Sequence, residues 1–149
     1  MKNDFLPPGA LLSVLLSSFC QAVLAATPIV DVLLQDPSTD PAIHSMRIVP
    51  DRDTVPAGRI TFRAANQSKD QVHELIVVRI KPGHSKLPYD KKKSEVEEKY
   101  IRHLGEISDL KPGASGAMTL NLKPGAYLLI CNQPGHYAAG MATTLTVTK

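Results

Sequence analysis

Residues 124–141 read PGAYLLICNQPGHYAAGM: a Pro-Gly turn, an apolar β-rich run and a loop rich in proline and glycine. The loop spaces a thiol, an imidazole and a thioether at five-residue intervals, at Cys131, His136 and Met141. Proline and two glycines oppose a helix here and supply the turns that fold the segment back on itself. We therefore expect a loop between two adjacent strands, with Cys131 ending one strand and Met141 starting the next.

Short β-rich runs punctuated by proline and glycine fill the chain on either side of this loop. Residues 59–64 alternate between polar and apolar, which places Ile60 and Phe62 on one face, and the apolar run 72–80 is typical of a central strand. Further strand-like runs lie at 29–35, 46–49, 117–122, 126–131 and 143–148. This series predicts an all-β fold, a Greek-key β-sandwich.

One segment departs from the strand pattern. Residues 94–97 read SEVE, which matches a capping box with Ser94 as the N-cap. Apolar side chains then recur at helical spacing, at Val96, Tyr100, Ile101 and Leu104. We therefore expect a short helical insertion near 95–103. The three lysines before it, 91–93, are interpreted as a solvated loop, with a docking patch as the alternative.

The N-terminus has the composition of a secretory signal. A basic residue precedes an apolar, serine-containing run at 10–19, and small residues follow at 22–26. The run is short for a membrane anchor, and a lipid on Cys20 is a further alternative. We expect residues 1–26 to be a signal peptide and residues 27–149 to form one domain, located in the periplasm or otherwise exported.

Composition and cysteine usage narrow the function classes. The 149 residues carry 17 basic and 14 acidic side chains, a net charge of +3, which is too small a surplus to indicate a nucleic-acid partner. Removal of the signal would take away Cys20 and leave Cys131 as a lone cysteine in an oxidising compartment. Cys131 is then buried and inert, reactive, paired between chains, or bound to a metal.

A loop that supplies three soft donors calls for a fourth from a distant strand. His73 is the best candidate, because it enters the apolar run 72–80 directly after a polar turn and so lies near one end of the sandwich. Two imidazoles, a thiolate and a weak thioether form the trigonal blue-copper set. The alternative for His73 is a strand histidine satisfied by hydrogen bonds. The other histidines are interpreted as surface residues: His44, His84 and His103.

With these residues the chain resembles a cupredoxin, a small exported blue-copper protein of the plastocyanin, azurin and rusticyanin type. The resemblance covers about residues 45–149 and rests on three segments and a last strand rich in threonine and leucine. The segments are 66–75, 124–131 and 131–141. The resemblance implies a cupredoxin-like copper-binding domain that holds one copper ion. The equatorial ligands would be His73, Cys131 and His136, and the axial ligand would be Met141.

Two further positions follow from the resemblance. Gly125 and Tyr127 resemble the tyrosine-corner turn of Greek-key proteins, which is a structural role. Glu74 stands directly after the first histidine, where better-known members often have asparagine, so the hydrogen bonds around the sulfur are expected to differ and to shift the potential.

The resemblance implies a one-electron carrier between redox protein partners. It also implies that the protein is not an enzyme, because four ligands leave no open position on the metal. The alternative is a periplasmic copper-binding protein for copper storage, delivery or tolerance, which the chain favours less because it has no methionine-rich run. We expect a monomer that binds no nucleic acid and has no stable membrane insertion after signal removal. The 82–103 insertion resembles only a less familiar bacterial subset of the family, so the resemblance does not identify the redox partner.

Overall fold

The computed structural model describes residues 26–40, 42 and 44–149, so the predicted signal peptide lies outside the described residues except for its last residue. The strands are β1 (Ile29–Gln35), β2 (Arg47–Pro50), β3 (Thr54–Pro56), β4 (Gly58–Asn66), β5 (His73–Ile80), β6 (Tyr89–Asp90), β7 (Glu95–Val96), β8 (Arg102–Leu110), β9 (Ser115–Leu122), β10 (Gly125–Ile130) and β11 (Ala142–Thr148). A 3₁₀ turn, Glu98–Tyr100, lies between β7 and β8. Within these residues no helix is long and apolar enough to cross a membrane.

The longer strands form two sheets. The first sheet has the order β2-β1-β4-β9 and the second the order β3-β11-β10-β5-β8, while β6 and β7 form a separate small hairpin. Neighbours are antiparallel except for β1 with β4 and β3 with β11, which are parallel. The chain passes repeatedly from one sheet to the other. The predicted all-β sandwich is confirmed, with sheets of mixed direction.

Alternate side chains of facing strands fill the space between the sheets. In β1 and β4 every second residue is buried, including Val32 and Phe62, because a strand directs successive side chains to opposite faces. Leu75, Leu129 and Leu145 of the second sheet join them in one apolar cluster. Burial of each such side chain contributes about 1.5–3 kcal/mol, so this core holds the ends of the strands firmly in place.

The outer face of the second sheet is covered as well. Residues 81–101, called the covering segment from here on, place Val96 among the buried side chains of Ile76 and Leu128. Further side chains of the segment pack beside them, namely Leu87, Tyr89 and Ile101. Because β5 is covered on both faces, residues 75–78 are all buried and the run is continuously apolar rather than alternating.

The predicted helix near 95–103 is wrong. There β7 pairs with β6, β8 already begins at Arg102, and Ser94 has a φ of 59°, which is not the extended backbone of a helix N-cap. The side-chain amide of Asn132 accepts from the Val96 N–H at 2.6 Å and donates to its carbonyl at 3.1 Å, which holds Val96 extended. These bonds and the burial of Val96 outweigh a capping signal worth about 1 kcal/mol.

The start of β10 has the predicted tyrosine corner. The hydroxyl of the buried Tyr127 donates to the carbonyl of Lys123 at 2.6 Å. Gly125 has a φ of 153°, and a Cβ there would lie 3.1 Å from the Arg79 guanidinium, so a side chain would be strained and crowded. The corner secures the beginning of the strand that leads directly to Cys131.

Candidate metal centre

Three neighbouring strands of the second sheet bring the predicted ligands to one end of the sandwich. His73 is the first residue of β5, Cys131 directly follows β10, and Met141 directly precedes β11. The Cys131 N–H donates to the Met141 carbonyl at 3.1 Å, which closes the base of the loop that carries His136. The predicted loop between adjacent strands is confirmed, since β10 and β11 are paired.

The thiol and two imidazoles converge on one point. Nδ1 of His73 lies 3.1 Å from Nδ1 of His136, and the Cys131 Sγ lies 3.4 Å from Nδ1 of His136 and 3.9 Å from Nδ1 of His73. His73 and Cys131 are fully buried and His136 is 7% exposed. Met141 is also fully buried and belongs to the same apolar cluster as Cys131. Three donor atoms thus face each other in a buried pocket.

Burial sets the protonation of these groups before a metal binds. It raises the pKa of the Cys131 thiol to about 11. Burial also lowers the pKa of His73, although the Asp36 carboxylate opposes this, and it lowers the pKa of His136 together with the nearby charge of His73. At neutral pH the pocket therefore holds a protonated thiol and two neutral imidazoles. A metal that binds the thiolate must displace one proton.

Residues 38–148 match a family described as copper binding proteins, the plastocyanin/azurin family. The chain belongs to this family. The resemblance to cupredoxins is thereby confirmed. Copper is the metal of the family, and the donors in the pocket fit it, because a thiolate and imidazoles are the ligands that copper prefers whereas calcium and magnesium prefer oxygen.

Individual cupredoxins show the same relationship. A stretch of 40 residues is 58% identical to auracyanin-B of Chloroflexus aurantiacus, but it covers 26% of this chain and 17% of that protein. The fold is similar to that of a reduced auracyanin from Roseiflexus castenholzii, with a TM-score of 0.57, 23% identity and coverage of 84% of this chain and 99% of the other. Rusticyanin from Thiobacillus ferrooxidans gives a TM-score of 0.58 at 17% identity, covering 82% and 77% of the two chains.

Glu74 follows the first histidine of this cupredoxin and makes two hydrogen bonds at or beside the Cys131 sulfur. The Glu74 backbone N–H points to the Cys131 Sγ at 3.4 Å, and the Glu74 carboxylate accepts from the Asn132 N–H at 2.8 Å. Burial raises the pKa of Glu74, opposed by the hydrogen bond from Asn132. The glutamate thus ties β5 to the residue that follows the cysteine, a contact through its side chain that the sequence alone did not define.

A second carboxylate near the site was missed by the sequence analysis. Asp36 lies directly after β1 in the first sheet, and its Oδ2 is 3.1 Å from Nε2 of His73. In the sequence it stands in Asp36-Pro37-Ser38, which indicates only a turn. Its burial at a strand end is the feature that marks Asp36 as functional, and burial cannot be read from these residues in the sequence.

The covering segment also contacts the ligand loop, and this too was not predicted. The Gly135 N–H donates to the Ser94 carbonyl at 2.7 Å, and the Leu87 N–H donates to the Tyr137 hydroxyl at 3.1 Å. Asn132 contributes the two bonds to Val96 and a third to the Glu98 carboxylate at 3.0 Å. These hydrogen bonds attach the covering segment to the ligand loop at several points between Asn132 and Tyr137.

Replacement of Asn132 by alanine is expected to lower the free energy of unfolding by about 1–3 kcal/mol, because the buried N–H and carbonyl of Val96 lose their partners. Urea unfolding of the metal-free protein measures this. Gln133→Ala is the matched control, since its amide makes an exposed bond to Asp109 and its loss should change stability by less than about 0.5 kcal/mol. Equal effects of the two variants would contradict the stabilising role of the Asn132 bonds.

The remaining histidines lie away from this centre. His44 and His84 are exposed, as predicted. His103 is partly buried, with Nδ1 3.4 Å from Glu98 and Nε2 3.5 Å from Glu106. Each ring nitrogen thus faces a different carboxylate, and both acids are exposed, so the group is a polar cluster on the surface and lacks the burial of the proposed metal centre.

Proposed function

We propose that this protein is an exported type 1 blue copper protein that carries single electrons between redox partners. The observation that carries the proposal is the convergence of His73 Nδ1, Cys131 Sγ and His136 Nδ1 in a buried pocket. We assign these three as equatorial ligands and the buried Met141 thioether as the weak axial ligand. Copper held in this way supplies reversible one-electron chemistry between Cu(I) and Cu(II).

The protein supports this chemistry by holding the donors still. His73, Cys131 and Met141 lie at the ends of three paired strands, and the Cys131 N–H bond to Met141 fixes the loop between two of them. Donors anchored in this way keep nearly the same positions when the charge at the site changes. The donors are buried away from bulk solvent, so little solvent has to reorganise around them.

Copper handling rather than electron transfer is the competing function, and one experiment separates the two. We expect the copper-loaded protein to give a reversible one-electron wave in voltammetry and to retain its copper against a moderate chelator. An irreversible wave together with rapid loss of copper to the chelator would contradict the carrier function and favour storage or delivery.

Export is supported by the signal-like start of the sequence and by the lone cysteine of the predicted mature chain. We expect the secreted protein to begin at Ala26 or Thr27. Mass spectrometry of material released from the periplasm measures this directly. An intact Met1, or a lipid attached to Cys20, would contradict the prediction.

Electrons are proposed to enter through His136, whose ring lies closest to the surface among the three assigned equatorial ligands. Its exposed neighbours in the loop are small or apolar, namely Pro134, Ala138 and Ala139. A small uncharged surface of this kind suits transient contact with a redox partner. We propose that the partner is another redox protein and that the copper protein acts as a monomer.

Ala138→Glu is expected to slow electron exchange by about tenfold at low salt while the absorption spectrum stays unchanged, because a charge enters the contact surface without touching the ligands. Stopped-flow or NMR line-broadening measurements give the rate. Ala57→Glu is the matched control. It adds the same charge to an exposed alanine at the other end of the sandwich, where the Ala57 N–H donates to the Thr148 carbonyl. An unchanged rate for Ala138→Glu would place electron entry elsewhere, for example at lysines 91–93.

A further inference from the structure

Asp36 is the only acid among the buried polar residues of the described chain, with 1% of its surface exposed. It directly follows β1 of the first sheet, whereas His73 begins a strand of the second, so the 3.1 Å contact between Oδ2 and Nε2 joins the two layers at the metal end. An uncompensated buried carboxylate is costly, and such a group is retained only where hydrogen bonds or a charge satisfy it. The partners of Asp36 therefore show what it does.

Hydrogen bonds keep Asp36 ionised. The backbone N–H and the hydroxyl of Ser38 both donate to Oδ1, at 2.8 and 2.6 Å, and the Ser38 hydroxyl lies 3.0 Å from that of the buried Ser68. A carboxylate whose Oδ1 accepts from both an N–H and a hydroxyl is satisfied as an anion, so Asp36 needs no proton of its own in this pocket.

An anionic carboxylate can only accept hydrogen bonds, and this determines the tautomer of His73. A neutral imidazole carries its one proton on one ring nitrogen and an acceptor lone pair on the other. That proton must lie on Nε2, because Nε2 faces Oδ2 of Asp36. Nδ1 is then left with a free lone pair, and it is Nδ1 that faces Cys131 and His136.

We propose that Asp36 is a positioning residue for the metal, which fixes the orientation and tautomer of His73 and uses its buried negative charge to favour Cu(II) over Cu(I). The assignment of copper to this pocket rests on the proposed function. The effect on the ring does not depend on which metal binds, because a histidine ligand gains basicity and a defined orientation whenever its other nitrogen donates to a carboxylate. The effect on the potential follows because a nearby anion stabilises the more positive metal ion.

Asp36→Asn tests both parts, since it removes the charge and keeps the size and an acceptor oxygen. We expect the variant to bind Cu(II) and stay blue, with a reduction potential above that of the wild type, and to bind Zn²⁺ about 10- to 100-fold more weakly. Asp53→Asn is the control, because Asp53 is an exposed residue at the other end of the sandwich, where its backbone carbonyl accepts from the Thr146 N–H, and both quantities should stay at wild-type values. A wild-type potential and a wild-type Zn²⁺ affinity in Asp36→Asn would overturn the proposal.

Nitrogen NMR of the unmutated protein covers the case in which Asp36→Asn fails to fold. The ¹⁵N shifts of His73 in the metal-free and the Zn²⁺-bound protein should show the proton on Nε2, and a proton on Nδ1 in the metal-free protein would overturn the proposal. The zinc and NMR measurements involve neither copper nor electron transfer. A wild-type protein without a reversible copper wave would therefore contradict the proposed function, while these two measurements still decide the role of Asp36.

Discussion

Cys131→Ser is expected to abolish the blue colour of the Cu(II) protein entirely. The colour of such a site comes from charge transfer between a thiolate and Cu(II), and the serine hydroxyl is a hard, weak donor that stays protonated. Cys131 is fully buried 3.4 Å from Nδ1 of His136, and it is the free cysteine of the described chain, so no other thiol there can replace it. Visible absorption during Cu(II) titration measures the loss.

The fold of the serine variant should survive, which makes the result interpretable. The new hydroxyl can accept from the Glu74 N–H and bond to His136, the groups that surround the sulfur now. Circular dichroism and urea unfolding of the metal-free variant check this. Blue colour that persists in Cys131→Ser would show that copper binds elsewhere and would contradict the proposed centre.

His73→Ala is expected to weaken Cu(II) binding by at least about 100-fold and to change the colour. The variant loses an equatorial donor, opens the pocket to water and leaves the buried Asp36 without its imidazole partner. Removal of a residue that only hydrogen-bonds to a metal ligand typically lowers metal affinity about 10- to 100-fold. Removal of a ligand itself should lower the affinity at least as much. Competitive titration against a chelator measures the affinity, and added imidazole should partly restore the spectrum by occupying the space of the ring.

Met141→Leu is the contrasting variant, at the proposed fourth ligand. Leucine nearly matches methionine in volume, so the buried site should tolerate it, and the proposed axial thioether would bind copper only weakly and from a distance. Copper and colour should survive while the reduction potential moves upward, because Cu(II) loses a donor. A bleached Met141→Leu protein, or an unchanged spectrum in His73→Ala, would contradict the ligand assignment.

Local sequence patterns were sufficient for the features whose partners are close along the chain. Cys131, His136 and Met141 stand within one loop, and their spacing and residue types indicate a metal site before any strand is placed. The alternation of polar and apolar residues in β4 and the apolar run of β5 likewise predicted strands. A strand buried on one face alternates in residue type, and a strand buried on both faces is continuously apolar.

Other elements carry too weak a local signal. β8, Arg102–Leu110, was not predicted as a strand, because it is an edge strand of the second sheet with only two buried residues and no regular alternation, and its register with β5 is interrupted by irregularities. The segment before it matched a helix cap and helical spacing, yet Val96 is extended. Its conformation is decided by Asn132, which is 36 residues away in the chain.

Residue type and spacing along the chain thus determined that this protein is a β-sandwich with soft metal donors in the loop before its last strand. The tertiary structure alone decided which distant residues form hydrogen bonds with the loop and with the predicted ligands. Asp36 lies 37 residues from His73, at the end of a strand of the other sheet, and Asn132 meets Val96 only because the covering segment lies across the second sheet. Such pairs arise when sheets pack and polar groups buried by that packing must find partners, a requirement that acts on spatial neighbours and leaves no periodic trace in the sequence.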